Sequence, residues 1–368
     1  MKRWFSLFLI LLLFLTGCSD KKTAEKDQSG ISGGQNAQHT QVIGVCVPKE
    51  SAYWTRNAQL LVETLKSRGY QVELRNAENS VQTQIRQVGE LIASTVDCLI
   101  IAPVDSAYLI AVEEEAAKVG IPVIAYDRLL MDTEAISAHV TFDYAAIGKA
   151  IGQYIVTEKK LDTAQAESRS HTIEFFMGSA DDNNALLLHT GLMEVLNPYL
   201  LSGVLVCRTG RTSFEDTYTL RWDTETAKAE CAAYLADFYT PEQPLEICCA
   251  ASDDLALGCI AALEAAGYTQ ETWPLVTGHG AQLENVRHLG AGKQTMTVYK
   301  DIRALVSACA DNAEKLLAGE KPVTNNQAAL DNNSTLVPAY VCESVVIDQS
   351  NYKDILIALG IYTEEELQ

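Results

Sequence analysis

Charged and amide side chains follow directly after several apolar runs of the sequence. Asp127 and Arg128 end the run "IPVIAY", Asn183 and Asn184 come after "IEFFMGSADD", and Asp253 ends "ICCAAS". A buried strand does not tolerate an ionised pair such as Asp127-Arg128, because an unpaired buried charge costs much free energy. We therefore predict that these residues lie past the ends of their strands, where they can donate and accept hydrogen bonds.

Two tryptophans accompany these polar groups. Trp54 follows the first apolar run, and Trp222 lies in "LRWD". An aromatic face packs on the C–H face of a pyranose, while carboxylates, amides and guanidinium groups bind vicinal hydroxyls in pairs. The set suits a neutral polyol, although an amino acid or another small polar solute stays open.

Each of these residues also has a structural interpretation. The Asp127-Arg128 pair is compatible with a surface ion pair, and Trp222 with a core residue. The run 181–184, "DDNN", also suits the start of a helix, because Asp and Asn are favoured caps.

The sequence excludes several other classes of site. It contains no GxGxxG, P-loop, GxSxG or HExxH pattern, and "GAGKQT" at Gly290 has the wrong spacing for a phosphate loop. No CxxC pair or histidine cluster suggests a metal. The formal net charge of -20 argues against a nucleic-acid partner, since phosphates require cationic surfaces. We therefore predict no enzyme activity, no cofactor and no metal.

From Gln41 onward, strand-like and helix-like segments alternate. The strands are continuous apolar runs such as "CLIIAPV", which is typical of parallel strands covered by helices on both faces. A chain of 368 residues exceeds the size of one core. We predict an α/β protein with two doubly wound parallel-sheet lobes, whose polar residues gather at the carboxyl ends of the strands, where ligands bind in such sheets.

The N-terminus predicts export. Residues 1–17 combine basic residues with a short apolar run, as in a signal peptide, and "LTGC" resembles a lipobox that would place a lipid on Cys18. Residues 18–40 are polar and read as a flexible tether. Nine further cysteines lie mostly in apolar runs, which favours small buried thiols, with one disulfide left as an alternative.

Seven segments carry a resemblance to a known family: 125–129, 142–148, 178–185, 220–227, 255–258, 297–301 and 351–353. In this order they resemble the periplasmic-binding-protein-like sugar-binding lipoproteins and exported proteins that serve ABC transporters for xylose, glucose and related monosaccharides. The similarity extends from about Val42 to Tyr352. It implies two lobes joined by three crossing segments, with a monosaccharide in the cleft and hinge closure around it.

The resemblance also implies boundaries and site residues. The first lobe would comprise 41–141 and 281–299, and the second 142–280 and 300–368, with crossings near Thr141–Asp143, Gly278–Ala281 and Tyr299–Asp301. The sugar would be bound by Trp54, Asp127, Arg128, Asn183, Asn184, Trp222, Asp253 and Lys300.

Two departures from the family pattern affect specificity. Tyr53 stands where relatives have Arg, and His279 and Gly280 stand where relatives have Gln and Asp. The loss of a guanidinium and a carboxylate suggests a changed pattern of hydroxyl recognition, so the sequence predicts a saccharide without naming it.

The implied partners are a monosaccharide, the permease subunits of an ABC transporter and, through the lipid, a membrane. The chain is expected to be a monomer, anchored to the outer face of the cell membrane, or periplasmic where there are two membranes. A sugar sensor that signals to a membrane receptor or kinase remains an alternative, because both roles use the same closed form.

Overall fold

The computed structural model describes residues 40–49, 51–325 and 330–367. The predicted signal peptide, Cys18 and residues 18–39 of the predicted tether lie outside the described residues. Within the described ranges, no helix combines the length and the hydropathy that a bilayer crossing requires.

The first lobe begins with alternating strands and helices. These are β1 (Val42–Val47), α1 (Ala52–Ser67), β2 (Gln71–Asn76), α2 (Val81–Ala93), β3 (Cys98–Ile101), α3 (Ile110–Lys118), β4 (Val123–Tyr126) and β5 (Ala138–Phe142). Strands β3, β4 and β5 are buried along their whole length, which matches their continuous apolar sequence and the helices on both faces.

The second lobe repeats this alternation. It contains α4 (Tyr144–Glu158), α5 (Leu161–Ala166), β6 (His171–Phe176), α6 (Asn183–Leu201), β7 (Leu205–Val206), α7 (Phe214–Thr217), a 3-10 turn (Leu220–Trp222), α8 (Thr224–Phe238), β8 (Ile247–Ala250), α9 (Asp253–Ala265), β9 (Leu275–Val276), α10 (Leu283–Gly290) and β10 (Met296–Lys300). Strands β6 to β9 form a parallel sheet in the order β7-β6-β8-β9.

The chain then returns to the first lobe before it ends on the second. The returning elements are α11 (Ile302–Leu317), β11 (Leu330–Asp331), β12 (Leu336–Val337) and β13 (Ala339–Cys342), followed by β14 (Ser344–Asp348) and α12 (Tyr352–Ala358). Strand β13 completes a six-stranded parallel sheet in the order β13-β5-β4-β3-β1-β2. Strands β10 and β14 pair in antiparallel fashion.

The two parallel sheets confirm the predicted fold class, but the segments divide differently from the expected boundaries. Residues 281–299 were expected in the first lobe, whereas α10 packs against α9 and β10 of the second. Residues 300–368 were expected in the second lobe, whereas α11 packs on α1 and β5, and β13 pairs with β5. The physical reason is burial: α11 covers one face of the first sheet, and β13 pairs the edge of β5 that would otherwise be open.

The three crossings therefore lie at 142–144, 300–302 and 342–344. The expected crossing at Gly278–Ala281 instead joins β9 to α10 inside the second lobe.

All nine cysteines in the described part of the chain are free thiols, and all except Cys207 are buried. The structure therefore favours the buried-thiol interpretation over the alternative of one disulfide.

Candidate functional site

A small cavity lies between the two lobes, at the carboxyl ends of the strands. Its volume is about 60 Å³, and since one water molecule occupies roughly 10–15 Å³ of such space, it suits a single ring rather than a polymer. Both lobes and the crossings line it, through Lys49, Ser51, Tyr53, Trp54, Arg128, Tyr144, Asp182, Trp222, Ser252, Asp254, His279, Gly280, Gln282 and Lys300.

Four helices, α1, α6, α9 and α10, begin at the cavity wall with an N-cap residue that lines it, and in the first three the side chain of that residue caps the helix. Ser51 Oγ accepts from Trp54 N at 3.2 Å at the start of α1, and Ser252 Oγ accepts from Leu255 N at 3.3 Å at the start of α9. Asp182 caps α6, with its Oδ1 3.1 Å from Asn184 N. Short polar residues that follow β1, β6 and β8 thus serve two purposes: they start the helices and present polar atoms to the cleft.

Arg128 joins the lobes across the cavity. Its Nε lies 2.8 Å from Asp182 Oδ2, and both side chains are largely buried. The guanidinium carbon lies 5.6 Å from the centre of the Trp54 ring, a cation–π distance, and Nη1 donates to Pro103 O at 3.1 Å. These contacts hold the Arg128 guanidinium in place, and this charged group lines the cavity.

Trp222 forms part of the opposite wall. Its Nε1–H donates to Asp182 Oδ2 at 3.1 Å, and its ring lies 5.8 Å from that of His279. Gly178 makes this position possible, because a Cβ there would stand 2.1 Å from the Trp222 ring. The glycine in "GSADDNN" is thus required by the tryptophan and not by its own backbone.

Asp127 organises the crossings instead of lining the cavity. Its carboxylate accepts from the hydroxyls of Tyr53 at 2.6 Å and Tyr144 at 2.8 Å, and Lys300 Nζ donates to Tyr144 Oη at 2.8 Å. Burial alone raises the pKa of Asp127, but the charge of Lys300 and these hydroxyls outweigh it and hold the pKa below its usual value. The carboxylate therefore stays ionised at the hinge, and the backbone carbonyl of Asp127 accepts from Asn184 Nδ2 at 3.0 Å.

The carboxylate of Asp253 also accepts hydrogen bonds from other residues of the protein. Its Oδ1 accepts from Gln294 and Thr297, each at 2.9 Å, and its Oδ2 accepts from the backbone of Gln282 at 2.9 Å. Burial raises its pKa to about 6 despite these bonds. The neighbouring Asp254 faces the cavity, and within the described part of the chain the one hydrogen bond of its carboxylate is that of Oδ1 with Gln282 Nε2, at 3.1 Å.

His279 is the polar wall residue with the fewest partners. Neither ring nitrogen has a hydrogen-bond partner in another described residue, although the side chain is buried. Burial lowers its pKa to about 3, and the charge of Lys300 adds to this effect. The imidazole is therefore neutral at physiological pH and offers one donor and one acceptor to a ligand.

The backbone around the cleft is strained at several positions. Asp127, Arg221, Trp222 and Ala281 have φ between +48° and +61°, a region that non-glycine residues rarely adopt and that costs about 1–3 kcal/mol each. Such residues concentrate at ligand clamps, and here they orient side chains that a regular strand or helix would direct elsewhere.

The structure brings seven of the eleven predicted ligand-binding and specificity residues to the cavity wall. These are Trp54, Arg128, Trp222, Lys300, Tyr53, His279 and Gly280. Asp127, Asn184 and Asp253 lie behind the wall, and Asn183 is half-buried at the start of α6, where its backbone N–H donates to Ser106 Oγ at 3.5 Å.

Sequence reasoning did not assign seven other wall residues to the site: Lys49, Ser51, Tyr144, Asp182, Ser252, Asp254 and Gln282. The signal for Ser51, Asp182 and Ser252 was their capping position after a strand.

One group of potential metal ligands lies elsewhere in the described structure. The Sγ atoms of Cys231, Cys248 and Cys259 are all within 4.8 Å of one another. They are buried in the core of the second lobe and do not line the cleft.

Comparison with known proteins gives the chain a family context. Residues 43–321 match the family described as "Periplasmic binding protein domain". A multiple sugar-binding periplasmic protein from Azospirillum brasilense is 34% identical over 90% of this chain and 92% of its own length. The D-xylose-binding periplasmic protein of Escherichia coli is 30% identical over 85% of this chain and 88% of its own.

A solved structure is also similar. An ABC transporter solute-binding protein from Clostridium phytofermentans, solved with bound β-D-glucose, has 37% sequence identity and a TM-score of 0.85. The match covers 89% of this chain and all of the other.

Proposed function

Because the chain belongs to the periplasmic binding protein domain family, we propose that it captures a monosaccharide between its lobes and delivers it to an ABC transporter permease. This family consists of binding proteins and not of enzymes. The sugar-binding names of its relatives and the bound glucose in a similar structure support a pentose or hexose as the ligand.

The observation that carries the proposal is the composition of the cavity wall. Trp54 and Trp222 provide aromatic surfaces, while Arg128, Asp254 and His279 offer polar atoms that the protein does not fully use. An uncharged ring with several hydroxyls satisfies both kinds of group. The wall carries both cationic and anionic side chains. An ionic ligand would pair with those of one sign and leave those of the other sign unpaired, at a cost in free energy.

Closure couples binding to the contacts between lobes. Arg128 pairs with Asp182, Arg221 Nη1 donates to Val104 O at 2.9 Å, and Ser106 N donates to Asp181 O at 3.0 Å. These bonds form only when the lobes meet. A ligand that bridges the same walls therefore shifts the population toward the closed form, which presents both lobe surfaces to the permease together.

The proposal also covers the export of the protein and its attachment to the membrane. We propose that residues 1–17 direct export, that Cys18 carries the lipid, and that residues 18–40 tether the body to the outer face of the membrane. The body is proposed to act as a monomer without catalytic activity.

A thermal-shift and calorimetry screen tests the function. The purified full chain is exposed to pentoses, hexoses, disaccharides and amino acids. A sugar at about 100 times its Kd adds about 2.7 kcal/mol to the free energy of unfolding, which raises the melting midpoint by several degrees. A shift with an amino acid and with no sugar would contradict the proposal.

Transport and sensing require a separate experiment in cells. Deletion of the protein should abolish uptake of labelled sugar and leave sugar-induced transcription intact. Loss of transcription with normal uptake would indicate the sensing role instead.

A further inference from the structure

A second and larger cavity lies next to the sugar site. Its volume is about 480 Å³, against about 60 Å³ for the sugar site. It is bounded by α1 of the first lobe, the 280–283 segment and α11, and by residues near the C-terminus, among them Arg56, Leu60, Leu283, Arg303 and Tyr362. The two cavities together offer more space than a single monosaccharide needs.

The two cavities share one wall. Tyr53, Gly280, Gln282 and Lys300 line both of them. Tyr53 and Lys300 are held by Asp127 and Tyr144, and the side chain of Gln282 is held by Asp254. Three of the four shared residues are therefore fixed on the side of the sugar site.

Gly280 is the shared wall residue that has no side chain. A Cβ built there would meet only ordinary van der Waals neighbours, with Asp253 Oδ2 at 3.4 Å and Gln282 Cγ at 3.6 Å. Gly280 therefore lines both cavities with backbone atoms alone. Its φ of +132° also suits glycine and few other residues. The backbone conformation therefore disfavours any side chain at this position of the shared wall.

The second cavity has polar and aromatic groups suited to a neutral extension. The Arg56 guanidinium lies 5.9 Å from the centre of the Tyr362 ring and has no ion-pair partner among the described residues. Arg303 is already neutralised by Asp301, with Nη2 2.7 Å from Oδ2. Leu60 and Leu283 add apolar surface. Glu63 also lines this cavity, so its lining carries charges of both signs, and a neutral substituent with hydroxyls and a ring face matches it better than an ion does.

Building on the proposed sugar-binding function, we propose that the protein also binds glycosides of its monosaccharide. Its first pyranose occupies the cleft between Trp54 and Trp222, and its O-linked substituent, a second sugar or an aryl group, passes Gly280 into the second cavity. The protein would then take up small glycosides as well as free monosaccharides.

Calorimetry on the full chain tests this inference. The probes are glucose, galactose and xylose, the methyl and phenyl glycosides of each in both anomers, and the disaccharides maltose and cellobiose. We expect at least one phenyl glycoside or disaccharide to bind about ten-fold more tightly than its parent monosaccharide. Leu60 lines the second cavity and not the sugar site, so Leu60→Trp, which adds bulk there, should remove this gain and leave the affinity for the parent sugar within about two-fold.

Arg56→Ala provides a second variant, since Arg56 is exposed and its loss leaves the core intact. It should weaken the glycoside and not the parent sugar. The inference is overturned when every substituted sugar binds more weakly than its parent, or when Leu60→Trp weakens both ligands equally; the proposed function survives either result. Absence of binding by all sugars would instead overturn the proposed function itself.

Discussion

Arg128 of the first lobe and Asp182 of the second form an ion pair across the ligand cavity, with Nε 2.8 Å from Oδ2. Both residues also have a local role, because Asp182 caps α6 and Arg128 contacts the carbonyl of Pro103. The pair therefore connects the start of a helix in one lobe to the end of a strand in the other, and it exists only while the lobes are together.

The first prediction concerns this pair. Arg128→Ala removes both a cavity-wall cation and a bond that closure creates, so sugar affinity should fall by at least about 100-fold, or roughly 2.7 kcal/mol. Calorimetry measures the affinity, and circular dichroism checks that the fold is retained. Arg86→Ala is the control, because Arg86 forms an exposed helical pair with Glu90, and such pairs contribute little.

A double-mutant cycle isolates the contribution of the Arg128–Asp182 contact from the separate contributions of the two residues. Arg128→Ala with Asp182→Asn should show a coupling energy of about 0.5–3 kcal/mol in the binding free energy. Strict additivity of the two losses would contradict a direct role of this contact in closure.

The second prediction contrasts two adjacent aspartates. Asp253→Asn replaces one acceptor oxygen by a donor where three donors converge, so the free energy of unfolding should fall by about 1–3 kcal/mol. Asp254→Asn should leave stability nearly unchanged and weaken sugar binding, because Asp254 faces the cavity. Urea unfolding and calorimetry measure the two effects. The reverse pattern would show that Asp253 is the residue that contacts the ligand.

The third prediction uses Gly178. Gly178→Ala places a Cβ 2.1 Å from the Trp222 ring, and since the backbone cannot absorb this overlap, the ring must move. Sugar binding should be lost although residue 178 itself does not line the cavity. Tryptophan fluorescence should change as well.

The matched control is Gly89→Ala in α2, where nothing apart from the adjacent residues and the backbone of the same helix lies within 4 Å of the added Cβ. It should keep full binding and raise stability by about 0.5–1 kcal/mol. Normal binding by Gly178→Ala would argue against a fixed Trp222 in the site.

The fourth prediction concerns pH and His279. In the unfolded chain its pKa is about 6.5, whereas burial lowers it to about 3 in the folded protein. As the pH falls from 6.5, the unfolded chain therefore binds a proton that the native state does not, and His279 makes the protein progressively less stable. His279→Gln lacks this effect.

The measurable quantity is the unfolding free energy of the wild type minus that of His279→Gln. It should decrease between pH 6.5 and pH 4 by up to about 1.4 kcal/mol per pH unit, as measured by urea unfolding at each pH. The subtraction cancels the other groups that titrate in this range, such as Asp253. A difference that does not change with pH would show that His279 is protonated normally in the native state.

The fifth prediction concerns the thiols. Eight of the nine described cysteines are buried, so among these nine only Cys207 should react rapidly with a thiol reagent in the native protein. After unfolding in guanidinium, all nine of them should react without prior reduction, as peptide mapping of the labelled sites shows. A titre that rises only after a reductant is added would reveal a disulfide.

The sequence by itself determined the fold class and much of the cavity wall. Uninterrupted apolar strands require helices on both faces, and parallel strands place their carboxyl ends at one edge. For this reason Trp54, Arg128 and Trp222, which follow different strands, could be expected to meet. The N-cap residues carried a signal of the same kind, because a helix that follows a strand starts at that edge.

Only the tertiary structure decided which carboxylates face the cavity and which support it. Asp127 and Asp253 look like ligand contacts in sequence, but tyrosine hydroxyls, a threonine and two glutamines from distant segments use their oxygens. The family resemblance placed α11 and β13 in the second lobe, whereas they pack in the first, because edge pairing and sheet coverage depend on the remainder of the fold. Local pattern fixes where a strand ends and a helix begins. The partners of a buried polar atom come from anywhere in the chain, and so only the packed structure determines them.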